Sequence, residues 1–195
     1  MNSARRWKPF WRWEALLFAL VLALAIAANF VSRADWPVVG PVLSIGLLVA
    51  AVVIAVLLVL PLFRRTGRDS ENTRRTLDGI ELVPVVPDRT LRVIETERRQ
   101  NAIDAAQAKA HGPITAVLTP DASRWLGREL RVAVDIVGDD GVIYRAGFVP
   151  REVDFALGAE LRALAARGAA LVVPVTIEGG TRPFTVEFGL GPVPG

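Results

Sequence analysis

The feature that most constrains this chain is a pair of charge-free apolar runs separated by six residues. Ala15–Val31 reads ALLFALVLALAIAANFV, and Val38–Phe63 follows after SRADWP (Ser32–Pro37). At about 1.5 Å of rise per residue, the 17 residues of the first run reach roughly 25 Å as a helix, near the short limit for crossing a bilayer. Trp11, Trp13 and Phe30 at its ends extend it, because rings with one apolar and one wet edge settle at the headgroup level. Pro41 and Pro61 stand near the ends of the second run, where a helix tolerates a missing donor or stops. The connection is too short for a domain, so the pattern predicts a two-helix transmembrane hairpin. The 52% hydrophobic content of the 195 residues is concentrated there.

Charge divides along the chain in the same way. The formal net charge is +3, but residues 1–75 hold 10 basic and 4 acidic side chains (net +6), and residues 76–195 hold 13 and 16 (net −3). Arg5, Arg6, Lys8 and Arg12 precede the first run; Arg64, Arg65, Arg68, Arg74 and Arg75 follow the second; the loop has only Arg33, beside Asp35. Positive flanks stay in the cytoplasm. The chain is therefore expected to be a two-span protein of the cell (inner) membrane with both termini cytoplasmic. Its expected divisions are a basic amino terminus (1–14), spans at 15–31 and 38–63 around an extracytoplasmic loop (32–37), a basic juxtamembrane linker (64–79) and a cytoplasmic domain (80–195). A rival reading makes the first run a cleaved signal peptide with Ala25-Ile26-Ala27 as the cleavage motif. Even then the second run halts at Arg64-Arg65 and leaves the domain in the cytoplasm.

Ala15, Ala19, Ala23 and Ala27 recur at four-residue spacing, a ridge of small side chains that lets a neighbouring helix approach; Gly46, Ala50 and Ala51 would supply the facing surface. No Asp, Glu, Lys, Arg or His lies inside either run, so the buried ionisable groups of a transporter or proton relay are missing. The linker RRTGRDSENTRRTLDG has one leucine and no other large apolar residue, and reads as a tether whose arginines attract anionic lipid at about 1 kcal/mol each. The lipid bilayer is thus the first expected partner.

From Ile80 onward short β-like stretches are separated by turn residues. IELVPVV (Ile80–Val86) is a strand that Pro84 confines to an edge, and LRVIE (Leu91–Glu95) is another. Glu97–Ala110 reads as a helix with Thr96 as N-cap and Gly112-Pro113 beyond its end. ITAVLT (Ile114–Thr119), ELRVAVDIVG (Glu129–Gly138) and VIYRAGFV (Val142–Val149) are strands, the last two joined by Asp139-Asp140-Gly141 as a hairpin turn. Leu130, Val132, Val134 and Ile136 alternate with Arg131, Ala133 and Asp135, which predicts one buried face. A helix over 151–167 groups Leu157, Leu161 and Leu164, with Gly168 at its end, and a second hairpin turns at Gly179-Gly180. The expected fold is a small α+β domain, mostly β, or a partly open barrel.

Chemistry is sparse. With no Cys and one His, a disulfide scaffold and a thiolate zinc site are excluded. No phosphate loop, dinucleotide turn or metal-binding helix phrase occurs. His111 sits at a helix end, where a cation meets the carbonyl pole. No enzyme activity, metal or cofactor is expected.

VIETERRQNAIDAA (Val93–Ala106), ITAVLTPD (Ile114–Asp121), LRVAVDIVGDDGVIYRAGFVPRE (Leu130–Glu152), AARG (Ala165–Gly168) and VPVTIEGG (Val173–Gly180) in this order resemble the HIRAN domain of bacterial proteins. The phrase Gly147-Phe148-Val149-Pro150-Arg151-Glu152 matches that family's G-x-[LV]-P-[RK]-E, and the similarity covers about residues 80–191. The resemblance implies a small OB-like barrel and, from relatives in DNA-repair helicases, a module that holds single-stranded DNA ends. Asp121–Glu129 reads DASRWLGRE where the family's acidic loop reads D-N-P-x-D-x-N-A-V, so the Asn and second Asp of that pocket are unmatched.

The net −3 of residues 76–195 also disfavours nucleic acid, whose binding rests on phosphate neutralisation. A local surface of Arg98, Arg99, Arg124, Trp125, Arg128, Tyr144 and Arg151 would offer phosphate contacts and stacking if those residues converged, although for Arg98 and Arg99 pairing with Glu95 is the plainer role. The expected function is a membrane-anchored, non-enzymatic interaction protein whose partner is a protein or peptide. The strand edges and the hairpin near Tyr144 and Phe148 are its candidate surfaces. A membrane-tethered single-stranded nucleic-acid-binding module and a structural subunit of a membrane complex are the alternatives.

Overall fold

The computed structural model describes residues 6–9, 13–33, 36–37, 39–63, 76–124 and 127–194. They form two compact units: a helix unit beginning at Trp7 that includes Gly127 and Arg128, and a sheet unit built from Arg6 and the described residues from 76 onward, Gly127 and Arg128 apart.

In the helix unit, α1 (Glu14–Arg33) and α2 (Val39–Phe63) are 20 and 25 residues long and are apolar enough to cross a membrane. They extend the expected first span at both ends, with Arg33 in the last turn of α1, where a cation meets the carbonyl pole. The helices pack on each other. The shielded stripe of α1 is Leu17, Val21, Leu24, Ala27, Ala28 and Val31; that of α2 includes Gly40, Ser44, Leu47, Ala50, Ala51, Ile54 and Leu58. This differs from the expected alanine ridge: Ala15, Ala19, Ala23 and Gly46 face outward, and of the residues named for it only Ala27, Ala50 and Ala51 lie on the shielded side. The reason is helical pitch. Strict four-residue spacing drifts about 40° around the axis per step, whereas mixed three- and four-residue spacing stays on one face. Before α1, the Trp13 indole donates to the Lys8 carbonyl at 2.8 Å, and the Lys8 amide donates to the Arg128 carbonyl at 2.7 Å.

The sheet unit is a mostly antiparallel sheet with two helices. Its strands are β1 (Arg6–Trp7), of which Arg6 alone belongs to this unit, β2 (Glu81–Pro84), β3 (Arg89–Arg92), β4 (Thr115–Ala122), β5 (Glu129–Val137), β6 (Ile143–Phe148), β7 (Ala169–Glu178) and β8 (Thr185–Leu190). The order is β1-β5-β4-β7-β8-β3, with β6 also on β5 and β2 also on β7. β2 pairs with β7 in parallel, Pro84 opposite Val172, on an edge as its proline requires. The β5–β6 hairpin turns at Asp139-Asp140-Gly141, with Gly141 at φ 75°, a region only glycine enters freely. Beyond β3, Ile94 and Phe148 exchange backbone hydrogen bonds of 2.9 and 3.0 Å, which joins the end of the path at β3 to β6. At Gly147 a side chain would run into the Ile94 carbonyl oxygen, so a glycine is required for that approach.

Helix α3 (Gln100–Lys109) begins later than expected. Glu95 takes a left-handed conformation, φ 68°, and Thr96–Arg98 form a 3-10 turn first. Gln100 then ties the helix to β8, donating to the Phe184 carbonyl at 3.0 Å and accepting from the Phe184 amide at 2.6 Å. Helix α4 (Arg151–Ala166) buries Leu157, Leu161 and Leu164, and Gly168 at φ 79° ends it. These leucines join Val132, Val134, Ile136, Leu171, Val173, Val186 and Phe188 in the main core.

The sheet departs from expectation at β5. Both faces are buried, because the alternate residues Arg131, Ala133 and Asp135 are 3%, 0% and 0% exposed. Ala133 packs with Ala122 and Phe148 in a second, smaller core.

Candidate functional site

That second face of the β5–β6 hairpin carries most of the buried charge of the described residues, in Arg131, Asp135 and Arg145. Period-two geometry puts Arg131, Ala133 and Asp135 on one side of the strand, and the hairpin register sets Arg145 of β6 opposite Asp135. Arg145 Nε donates to Asp135 Oδ1 at 2.9 Å, and Thr119 Oγ1 of β4 donates to Asp135 Oδ2 at 2.7 Å. The Phe148 ring lies under both cations, its centroid 5.1 Å from Arg131 Cζ and 6.0 Å from Arg145 Cζ, within cation–π range.

Arg131 continues the network. Its Nη2 donates to the Val149 carbonyl at 2.6 Å and its Nη1 to Glu95 at 3.1 Å, while Nε is buried and makes no hydrogen bond. Burial holds the Arg131 guanidinium below its ordinary pKa, against the opposing pull of Asp154 and Glu95. The left-handed turn at Glu95 brings its carboxylate to Arg124 as well. At the start of β5, Glu129 accepts two hydrogen bonds from Arg151, 2.7 and 2.9 Å, the bidentate geometry that only arginine offers. This pairing holds Arg151 above its usual pKa.

On α4, Asp154 accepts the Val132 amide at 2.6 Å. Burial pushes its carboxyl above the ordinary range, the amide bond and the Arg131 and Arg6 charges acting the other way. Arg6 donates to Asp121 Oδ1 at 2.6 Å, and Arg162 reaches the same oxygen at 3.3 Å.

The residues offered as a nucleic-acid surface, should they converge, sit on several different elements. Arg124 and Arg151 enter this network through Glu95 and Glu129. Arg98 is exposed in the 3-10 turn, and Arg99 is half-buried behind it. Glu95 pairs across the fold with Arg124 and Arg131, partners that the local expectation for Arg98 and Arg99 does not include. Arg128 lies in the helix unit, its guanidinium 4.4 Å from the Trp13 ring centroid. Tyr144 is half-buried against the main core opposite Ile136, and its phenol is held above its usual pKa by desolvation first and Asp140 second. Trp125 lies outside the described residues. Sequence reading passed over Arg6, Glu95, Asp121, Glu129, Arg131, Asp135, Arg145 and Asp154 as site residues.

Away from the network, Asp139 accepts the His111 amide at 2.7 Å. That bond, with the imidazole contact at 3.0 Å, holds the exposed carboxyl below its ordinary range. Among the described residues no cluster of His, Asp and Glu could hold a metal ion.

Chemically, the arrangement is a set of closed ion pairs. Asp135 cannot serve as a base toward Thr119 while Arg145 shares both its oxygens, and the Arg124 and Arg151 charges are already matched by carboxylates. It is suited to fixing the register of β4, β5, β6 and α4. No family model, curated protein or solved structure matches the chain.

Proposed function

We propose that this chain is a two-span integral protein of the bacterial inner membrane, with both termini in the cytoplasm. There it displays a non-enzymatic, HIRAN-like, partly open barrel that binds a protein or peptide segment. The observation that carries this reading is the position of Arg6. It precedes α1, yet it belongs to the same unit as the residues that follow α2 and bonds to Asp121. If the helices span a bilayer, both flanks of the pair must lie on one side, as a hairpin requires. The basic flanks then favour the cytoplasmic side.

Two further observations support binding of protein over nucleic acid. Arg124 and Arg151 are engaged by Glu95 and Glu129, so phosphate contacts there would have to break existing pairs. The sheet also has open edges, and edge strands accept extended segments by strand addition. The barrel reading draws on the Ile94–Phe148 bridge.

Because the chain contains no cysteine, single-cysteine labelling maps topology cleanly. Gly180→Cys should react only from the cytoplasmic face of membrane vesicles and Trp36→Cys only from the opposite face. Labelling of both from the same face would overturn the hairpin. Salt-sensitive, saturable binding of single-stranded DNA by the purified full chain would overturn the protein-binding reading in favour of a tethered nucleic-acid module.

A further inference from the structure

The network contains a socket already filled by the chain itself. Arg6 is held with Nη1 on Asp121 Oδ1 at 2.6 Å and Nη2 3.8 Å from Asp154 Oδ2. Its side chain is 16% exposed, and Nη2 is buried without a hydrogen bond. The floor is Gly158: a methyl group there would collide with the guanidinium. Asp154 and Gly158 are four residues apart, so one face of α4 supplies both floor and wall, and Asp121 at the end of β4 supplies the other wall.

Beside the socket runs an edge of β5. β6 ends at Phe148, and Val149 still donates to the Val132 carbonyl at 3.0 Å. Toward the start of β5 that edge is vacated by β6. The Val132 amide there goes to Asp154, and β1 stands beside β5.

We propose that this edge of β5, together with the Asp121–Asp154–Gly158 socket, is a recognition site for an extended, arginine-bearing peptide segment, with Arg6 as its intramolecular occupant. The side chain is specified: a fork is needed to address two carboxylates on opposite walls, and a lysine ammonium is a single point charge. The conformation is specified by the strand edge. A partner segment of this chemistry reaches the site by displacing Arg6. A tethered occupant competes at an effective concentration in the millimolar range, so the site in the resting chain answers only to a strong or multivalent partner.

This inference rests on reading the sheet unit as a binding domain. The test uses the full chain in nanodiscs and a fluorescent peptide of residues 1–12. The peptide should bind the Arg6→Ala chain at least roughly tenfold tighter than the wild-type chain, as removal of a tethered competitor requires. It should lose that binding when its own Arg6 is replaced by Ala. Gly158→Ala added to the Arg6→Ala chain should weaken binding while leaving cooperative unfolding intact, since alanine improves an interior helix position; Asp121→Asn with Asp154→Asn should abolish binding. Absence of peptide binding to the Arg6→Ala chain, or equal binding after either change to the socket, overturns the inference. Failure here with residues 36 and 180 still mapping to opposite faces removes only this site, whereas labelling of both from one face removes the membrane reading as well.

Discussion

Arg145 donates from Nε to Asp135 Oδ1 at 2.9 Å and from Nη2 to Oδ2 at 3.3 Å, with both side chains inside the sheet unit. The residues are 4% and 0% exposed. A pair so deeply desolvated is worth little against an apolar replacement, yet breaking it leaves one charge stranded. Arg145→Met alone should therefore destabilise the sheet unit by about 3–5 kcal/mol, and Asp135→Leu with Arg145→Met should recover most of that loss. Urea midpoints of the single and double variants check this; a double variant as unstable as the single would refute it.

This pair was legible in the sequence only in part. The Asp139-Asp140-Gly141 turn could be read, and a hairpin centred there sets 135 opposite 145, so a cross-strand charge pair was already implied. Its burial was hidden, because alternation of Val132, Val134 and Ile136 with Arg131 and Asp135 looks the same whether the second face meets water or protein. What covers that face near Phe148 is the bridge from Ile94, a contact across more than fifty residues that no local pattern encodes. The same applies to Arg6 and Asp121, separated by 115 positions. Elements with local signals were read nearly to the residue: α4, closed by Gly168, and the β5–β6 hairpin. The start of α3 was not, because the left-handed turn at Glu95 serves pairing with Arg124 and Arg131 and has no local motive.

Asp154 should give the sheet unit an unusual pH response. Its carboxyl is held above the ordinary value, chiefly by burial. Such a group contributes stability that is fully present below its unfolded pKa, about 3.9, and lost as pH rises through the folded value. Asp154→Asn keeps a carbonyl for the Val132 amide and removes the titration. The stability of the variant relative to wild type should rise with pH across that window and stay level above it. Unfolding midpoints between about pH 3 and 7 test this; a relative stability that falls with rising pH would contradict the sign.

Gly147 is expected to be intolerant for a local reason. A Cβ there meets the Ile94 carbonyl oxygen and Val93 Cγ1, and the oxygen is the one that accepts from the Phe148 amide. Gly147→Ala should part this bridge at about 1–3 kcal/mol. Hydrogen exchange at the Ile94 and Phe148 amides should accelerate more than at Val134, which β4 and β6 hold from both sides. Uniform acceleration would mean that the bridge is not the element released.

The helix pair offers a test in which two chemically identical changes part company. Ala28 is 3% exposed and Ala51 7%, whereas Ala23 faces outward on the same helix. Adding three carbons at Ala28 must push α2 away or force a strained rotamer, a cost of about 1–3 kcal/mol; adding them at Ala23 meets no neighbouring helix. Ala28→Leu should therefore broaden the distance distribution between spin labels on cysteines placed at the outward-facing Leu22 and Val49, and Ala23→Leu should leave it unchanged. The opposite result would return the interface to the four-residue alanine ridge, and with it the drift argument would fail.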